Sequence, residues 1–92
     1  MSIEVRVPTV LRKHTDGQKT VTAQGSTVRE LVADLEQRNQ GLGAALVAPD
    51  GALHRFINIY VNDEDVRYLG GIDTPLSDGD TVSILPAVAG GG

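Results

Sequence analysis

The sequence predicts a single α+β domain, a mixed sheet of four to five strands with one main helix laid across it. Three observations lead there. Separate stretches alternate apolar and polar residues with the period of two that marks a half-buried strand. One stretch between them carries an apolar stripe at helical spacing, introduced by a capping sequence. The chain has 92 residues, 40% of them hydrophobic, which is enough for one core and leaves no room for a second. A domain of this size buries roughly two-thirds of the surface its unfolded chain exposes, so a deep substrate cavity is not expected.

Taken in order, Ile3, Val5 and Val7 alternate with Glu4 and Arg6, and Pro8 closes this first strand. Asp16-Gly17 is a turn signal and Lys19 to Ala23 reads as a second strand, giving an opening hairpin with a long loop. Thr27-Val28-Arg29-Glu30 has the form of a capping box, in which Thr27 accepts from the amide of Glu30 and Glu30 reaches back to the amide of Thr27. The stripe Val28, Leu31, Val32 and Leu35 follows, with Gly41 and Gly43 ending the helix and Pro49-Asp50-Gly51 marking a loop. Ile57, Ile59 and Val61 form the clearest strand, read as the central one, with Asn62-Asp63 turning into a partner strand over Asp65 to Tyr68. Ser77-Asp78-Gly79-Asp80 feeds a last strand, Thr81 to Leu85, stopped by Pro86.

Composition excludes several classes of function. No cysteine is present, which removes disulfides, thiolate ligands and a cysteine nucleophile, and gives no sign of an oxidising compartment. Met1 to Val7 lacks the apolar run of a signal peptide, and no segment approaches the roughly 20 apolar residues of a membrane span, so a cytoplasmic protein without membrane contact is expected. The net charge of −4, with 12 acidic and 8 basic residues and the basic ones scattered, argues against nucleic-acid binding. The acidic residues Asp63, Glu64, Asp65, Asp73, Asp78 and Asp80 read either as solvated turns or as a docking surface for a basic partner.

Catalytic and metal constellations are missing as well. His14 and His54 have no acidic or cysteine neighbour at metal-ligand spacing. Asp63 and Asp65 begin a calcium-loop pattern that Arg67 breaks, and no serine sits in a nucleophile elbow. No catalytic residue and no bound cofactor is therefore expected.

The remaining feature is the end of the chain. Residues 1–86 read as the folded domain, and Ala87, Val88, Ala89, Gly90, Gly91 and Gly92 as a flexible tail beyond Pro86. Such a tail extends about 20 Å at roughly 3.3 Å per residue, long enough to thread from a docked domain into a partner's active site. Glycine suits a narrow channel because it has no Cβ and tolerates positive φ. Ordering the tail costs about 1 to 2 kcal/mol per residue, so a globular face must supply docking affinity. Phe56, Tyr60 and Leu85 are the candidates for that face, since an exposed apolar patch on so small a domain marks an interface.

The element order, the stretch from Leu76 to Ala89 and the glycine end together resemble the ubiquitin-like β-grasp sulfur carriers, the ThiS and MoaD group. The resemblance covers nearly the whole chain. The run from His54 to Arg67, HRFINIYVNDEDVR, is similar to the branch of that group that serves bacterial cysteine biosynthesis. The resemblance implies a carrier acted on by enzymes and not itself an enzyme. An E1-like adenylating sulfurtransferase would use ATP and magnesium to adenylate the C-terminal glycine carboxylate, and sulfide or a persulfide would displace AMP to give a protein thiocarboxylate. The implied acceptor is a PLP-dependent synthase of the cysteine-synthase type or another thio-product enzyme, and a metalloprotease would release the product. Free of partners, such a carrier is a monomer. Family members typically end in Gly-Gly, whereas this sequence reads Gly90-Gly91-Gly92, so the sulfur-bearing residue is Gly92 as it stands or Gly91 after trimming. The alternatives are a small subunit of molybdopterin synthase, a ubiquitin-like protein modifier and a plain interaction module.

Overall fold

The computed structural model describes residues 2–55 and 57–86. Strand β1 (Ser2–Arg6) buries Ile3 and Val5 completely and exposes the polar residues between them. It pairs antiparallel with β2 (Thr20–Gln24), with Val5 opposite Val21 and Ile3 opposite Ala23. The long loop between them is more ordered than the sequence reading allowed. Residues Thr9–His14 form a 3-10 turn that sinks Leu11 into the core. The buried Thr15 hydroxyl lies within hydrogen-bond reach of the carbonyls of Arg12 and Gln18, at 3.2 and 2.9 Å.

Helix α1 (Val28–Arg38) begins at the expected cap, where Thr27 Oγ1 accepts from the Glu30 amide at 3.3 Å. The reciprocal bond differs from the expected one, because Glu30 accepts from the amide of Ser26 (2.9 Å) and not from that of Thr27. The chain enters the helix extended and paired with residues 74–76, so the amide facing Glu30 belongs to Ser26. Val28, Leu31, Val32 and Leu35 are all buried against the sheet. Each such side chain contributes roughly 1.5 to 3 kcal/mol of burial, so this one stripe supplies a large share of the core's driving force.

The helix stops at Asn39, and Gly43 does not end it. A second short helix, α2 (Leu42–Leu46), follows, started by Gly41 at φ +93° and containing Gly43, which is buried. Glu36 joins the two helices by accepting from the amides of Gly41 (3.0 Å) and Ala44 (3.2 Å). A Cβ on Gly43 would come within 2.7 Å of the Glu36 Cβ, so the glycine is there to let the helices touch.

Strand β3 (Ile57–Val61) turns through Asn62 and Asp63, both at positive φ, into β4. The tight turn is where it was expected, and its two positive φ angles across a two-residue loop are those of type I′. The partner strand is shorter than expected, since β4 covers only Glu64–Asp65 and Val66–Tyr68 is a 3-10 turn. Asp65 accepts from the Arg67 amide at 2.9 Å, which bends the chain out of the ladder and drops Val66 into the core. Strand β5 (Thr81–Pro86) completes a sheet of order β2-β1-β5-β3-β4. The central strand is therefore β5 and not β3. It runs parallel to β1 and antiparallel to β3, and its inward Val82 and Ile84 meet Val5, Val61 and Ile59.

Candidate functional site

One face of the sheet carries the core beneath α1, and the other carries Arg6, Tyr60, Ser83 and Leu85 in neighbouring register positions. Arg6 is level with Ser83, Ser83 with Tyr60, and Asn58 with Leu85. The alternation of β5 forces this division, because Val82 and Ile84 point inward and Ser83 and Leu85 must point outward. Leu85 is 47% exposed although apolar, and Tyr60 is half-buried beside it. Together with Arg6, Arg12, Lys19 and Ser83 they line a shallow groove of about 500 Å³.

The groove lies at the C-terminal end of the central strand, because Leu85 lines it and is followed by Pro86, the last residue of β5. Two of the three candidate docking residues, Tyr60 and Leu85, are thus brought together at the C-terminal end of β5. Phe56 and the tail residues Ala87, Val88, Ala89, Gly90, Gly91 and Gly92 lie outside the described residues.

The basic side of this groove was not apparent from the sequence, where the cations stand apart. Folding gathers them. The β1–β2 hairpin sets Arg6 opposite Thr20, next to Lys19, and the 3-10 turn swings Arg12 back until its Nε donates to the Val7 carbonyl at 3.1 Å. The available signal was the hairpin register, which places residues distant in sequence on one surface.

Four of the six acidic residues have local work. Asp65 holds Arg67 through two oxygens, with its carboxylate 2.8 Å from a terminal guanidinium nitrogen. The Arg67 side chain, and next its amide, hold the Asp65 carboxyl below the ordinary range, and Asp65 in turn raises Arg67. Asp73 pairs with Arg29 at 3.0 Å, Asp78 accepts from the Ser2 amide at 2.8 Å, and Asp80 accepts from Ser77 and Asn62. These bonds favour the reading of the acidic residues as turn formers. Among the described residues no group of three histidine, cysteine or acidic side chains is arranged to hold a metal ion, and no helix is long and apolar enough to cross a membrane.

The model of the ThiS family matches residues 5–91. The chain belongs to the ThiS family. Among its relatives is the sulfur carrier protein CysO of Mycobacterium tuberculosis, 55% identical over 99% of this chain and 100% of the relative. The crystal structure of that protein matches with a TM-score of 0.90, covering 94% of this chain and 99% of the other. The CysO structure from the Amycolatopsis orientalis BexX/CysO complex gives a TM-score of 0.89 at 56% identity, covering 97% and 99% of the two chains. A further relative is the small archaeal modifier protein 3 of Haloferax volcanii, 35% identical over 99% of this chain and 100% of its own. The ubiquitin-like β-grasp fold expected from the sequence is the fold observed, and the ThiS-family relatives at 55% identity are named as carriers and not as enzymes.

Proposed function

We propose that this chain is a sulfur carrier whose working end is the glycine tail, residues 87–92, attached to a folded domain of residues 1–86. The observation that carries the reading is the placement of the tail's root. The central strand of the sheet ends beside an open groove with an exposed apolar residue, Leu85, and the chain is 55% identical to a sulfur carrier over its whole length. A tail rooted there emerges next to whatever partner covers Tyr60 and Leu85.

The chemistry follows from the terminal carboxylate. A carboxylate oxygen of Gly92, or of Gly91 in a trimmed chain, attacks the α-phosphorus of ATP in an E1-like partner, with magnesium balancing the phosphates, and pyrophosphate leaves. The acyl adenylate supplies the leaving group that the carboxylate lacked. Sulfide adds to the carbonyl carbon, AMP departs, and a thiocarboxylate remains. The acceptor is a PLP-dependent synthase of the cysteine-synthase type in the cytoplasm, and a metalloprotease frees the product. ATP, magnesium and PLP belong to the partners. The BexX/CysO complex is an instance of a CysO protein bound to another protein, which supports a partner-dependent role here.

The likeness to an archaeal modifier favours a second reading, in which the activated terminus is transferred to lysines of other proteins. Isopeptide adducts on a denaturing gel would identify it. For the carrier reading, the test is intact-mass measurement after incubation with the host's adenylating enzyme, ATP, magnesium and sulfide. The full chain should gain sulfur in place of oxygen, and a chain lacking Gly91 and Gly92 should not. The truncated chain should melt within about 1 °C of the parent, because a terminus with few buried contacts contributes little to stability. Normal sulfur loading of the truncated chain would overturn the reading.

A further inference from the structure

Arg6, Arg12 and Lys19 are three of only eight basic residues, yet they line one groove of a molecule whose net charge is −4. Asp63 is the one carboxylate among the residues lining it. Arg6 lies 3.3 Å from Glu4, in an exposed pair that water screens. Among the described residues neither Arg12 nor Lys19 has a carboxylate within ion-pair distance. The groove thus holds surplus positive charge above an apolar floor of Tyr60 and Leu85.

A free acidic partner approaches this groove against the negative field of the whole molecule. A negative group tethered at the groove's rim does not, and a short tether gives it an effective concentration of order millimolar. The chain has such a group. Its tail starts after Pro86, one residue beyond Leu85. The Lys19 carbonyl accepts from the Val7 amide at 2.8 Å, and β1 separates that segment from β5. Lys19 is therefore two strand spacings across from β5, roughly 10 Å at about 4.8 Å each, and level with Ile84, two residues short of the strand's end at Pro86. Six residues reach about 20 Å, enough to turn and come back. The composition fits as well, with Ala87, Val88 and Ala89 for the apolar floor and the terminal carboxylate for the cations.

We propose that residues 87–92 fold back in cis into this groove, with the terminal carboxylate or thiocarboxylate paired to Lys19 and the neighbouring arginines, and so park the reactive end until an activating partner takes the face. The inference rests on the reading of Gly92 as the working terminus. Because Tyr60 and Leu85 lie in the same groove, a partner that docks on them displaces the tail, and docking and release of the tail become one event. The pairs are solvent-exposed, so parking is partial and sensitive to salt.

The test compares the 15N-labelled chain bearing its C-terminal carboxylate with the same chain ending in a carboxamide made by ligation. The amides of Lys19, Thr20 and Ser83 should shift between the two forms. The differences should disappear in Lys19→Glu and at about 0.5 M salt, where the screening length falls to a few ångströms, and should not depend on protein concentration. Identical spectra of the two forms in low salt would overturn the proposal. Differences that grow with protein concentration would assign the groove to the tail of a second copy, and perturbation seen only after adding the adenylating enzyme would assign it to that partner; either result overturns docking in cis. Sulfur loading is measured by mass on the same samples. A chain that loads normally with a silent groove loses only the parking proposal, whereas a chain that never loads loses the carrier reading whatever the groove shows.

Discussion

At Gly25 the chain passes from β2 towards α1 so closely that a Cβ there would stand 2.6 Å from the Leu31 amide nitrogen and 3.0 Å from the Glu30 carbonyl carbon. Those are backbone atoms of the first helical turn, which cannot swing aside as a side-chain tip can. Gly25→Ala should therefore cost about 1 to 3 kcal/mol, as overpacking does, visible as a lowered thermal midpoint. Leu31→Ala acts in the opposite sense by opening a cavity beneath the helix, and should cost about 2 to 5 kcal/mol in denaturant titration. A loss below 1 kcal/mol would mean that the helix does not need this contact. Of these two residues, only Leu31 was legible in the sequence. Its role follows from spacing along one helix, whereas that of Gly25 arises from the approach of two segments, for which no local pattern exists. Gly43 was misread for the same reason: a glycine after a helix looks like a terminator, and here it is the contact point between two helices.

Among the elements, helix α1 was the most legible because its stripe and its cap agree. Thr27→Ala removes the acceptor for the Glu30 amide and should destabilise by about 1 kcal/mol, measured by chemical denaturation. The turn 77–80 was legible as a turn but not as a clasp. Its Asp80 carboxyl is held below the ordinary carboxylate range by the Ser77 amide and next by the Asn62 side-chain amide, with burial working the other way. Glu36 is lowered chiefly by the Gly41 amide, against burial, with help from Ala44, Gly43 and the nearby His14. A carboxyl whose folded pKa lies below its unfolded value stabilises fully above the unfolded value, about 4, and loses that contribution as pH falls through the folded one. The thermal midpoint should thus drop between pH 4 and about pH 2, and Asp80→Asn should shrink the drop relative to the parent. An unchanged drop would exclude Asp80 as a source. Strand β4 was over-extended in the sequence reading because Arg67 and Tyr68 continue an acceptable strand pattern, while the Asp65 carboxylate bonding back to Arg67 takes the chain out of the sheet.

For the whole molecule, the fold class and the order of elements followed from periodicity, but the sheet order did not. The clearest strand in the sequence, Ile57–Val61, was read as central, yet the central position belongs to β5, whose apolar residues are fewer and whose neighbours are set by pairings of long sequence separation. The candidate site was half legible. Tyr60 and Leu85 were named, with Phe56, as candidates for an exposed apolar face, while the convergence of Arg6, Arg12 and Lys19 needed the hairpin register and the 3-10 turn.

The position of β5 has a mechanical consequence. On the proposed function, a partner that draws residues 87–92 into its active site would pull on Pro86 along the strand axis. Because β5 is bonded to β1 on one side and β3 on the other, that load falls in shear on both ladders together and does not peel them one bond at a time. At the far end, the Asp80 amide donates to Ser77, the Asn62 amide donates to the Thr81 carbonyl, and Asn62 Oδ1 receives the Thr81 amide at 3.0 Å, so the strand cannot slip towards the puller without breaking this clasp as well. Under tension the domain should behave as a stiff handle, and Asn62→Ala should lower the rupture force in single-molecule pulling from the C-terminus more than it lowers the thermal midpoint.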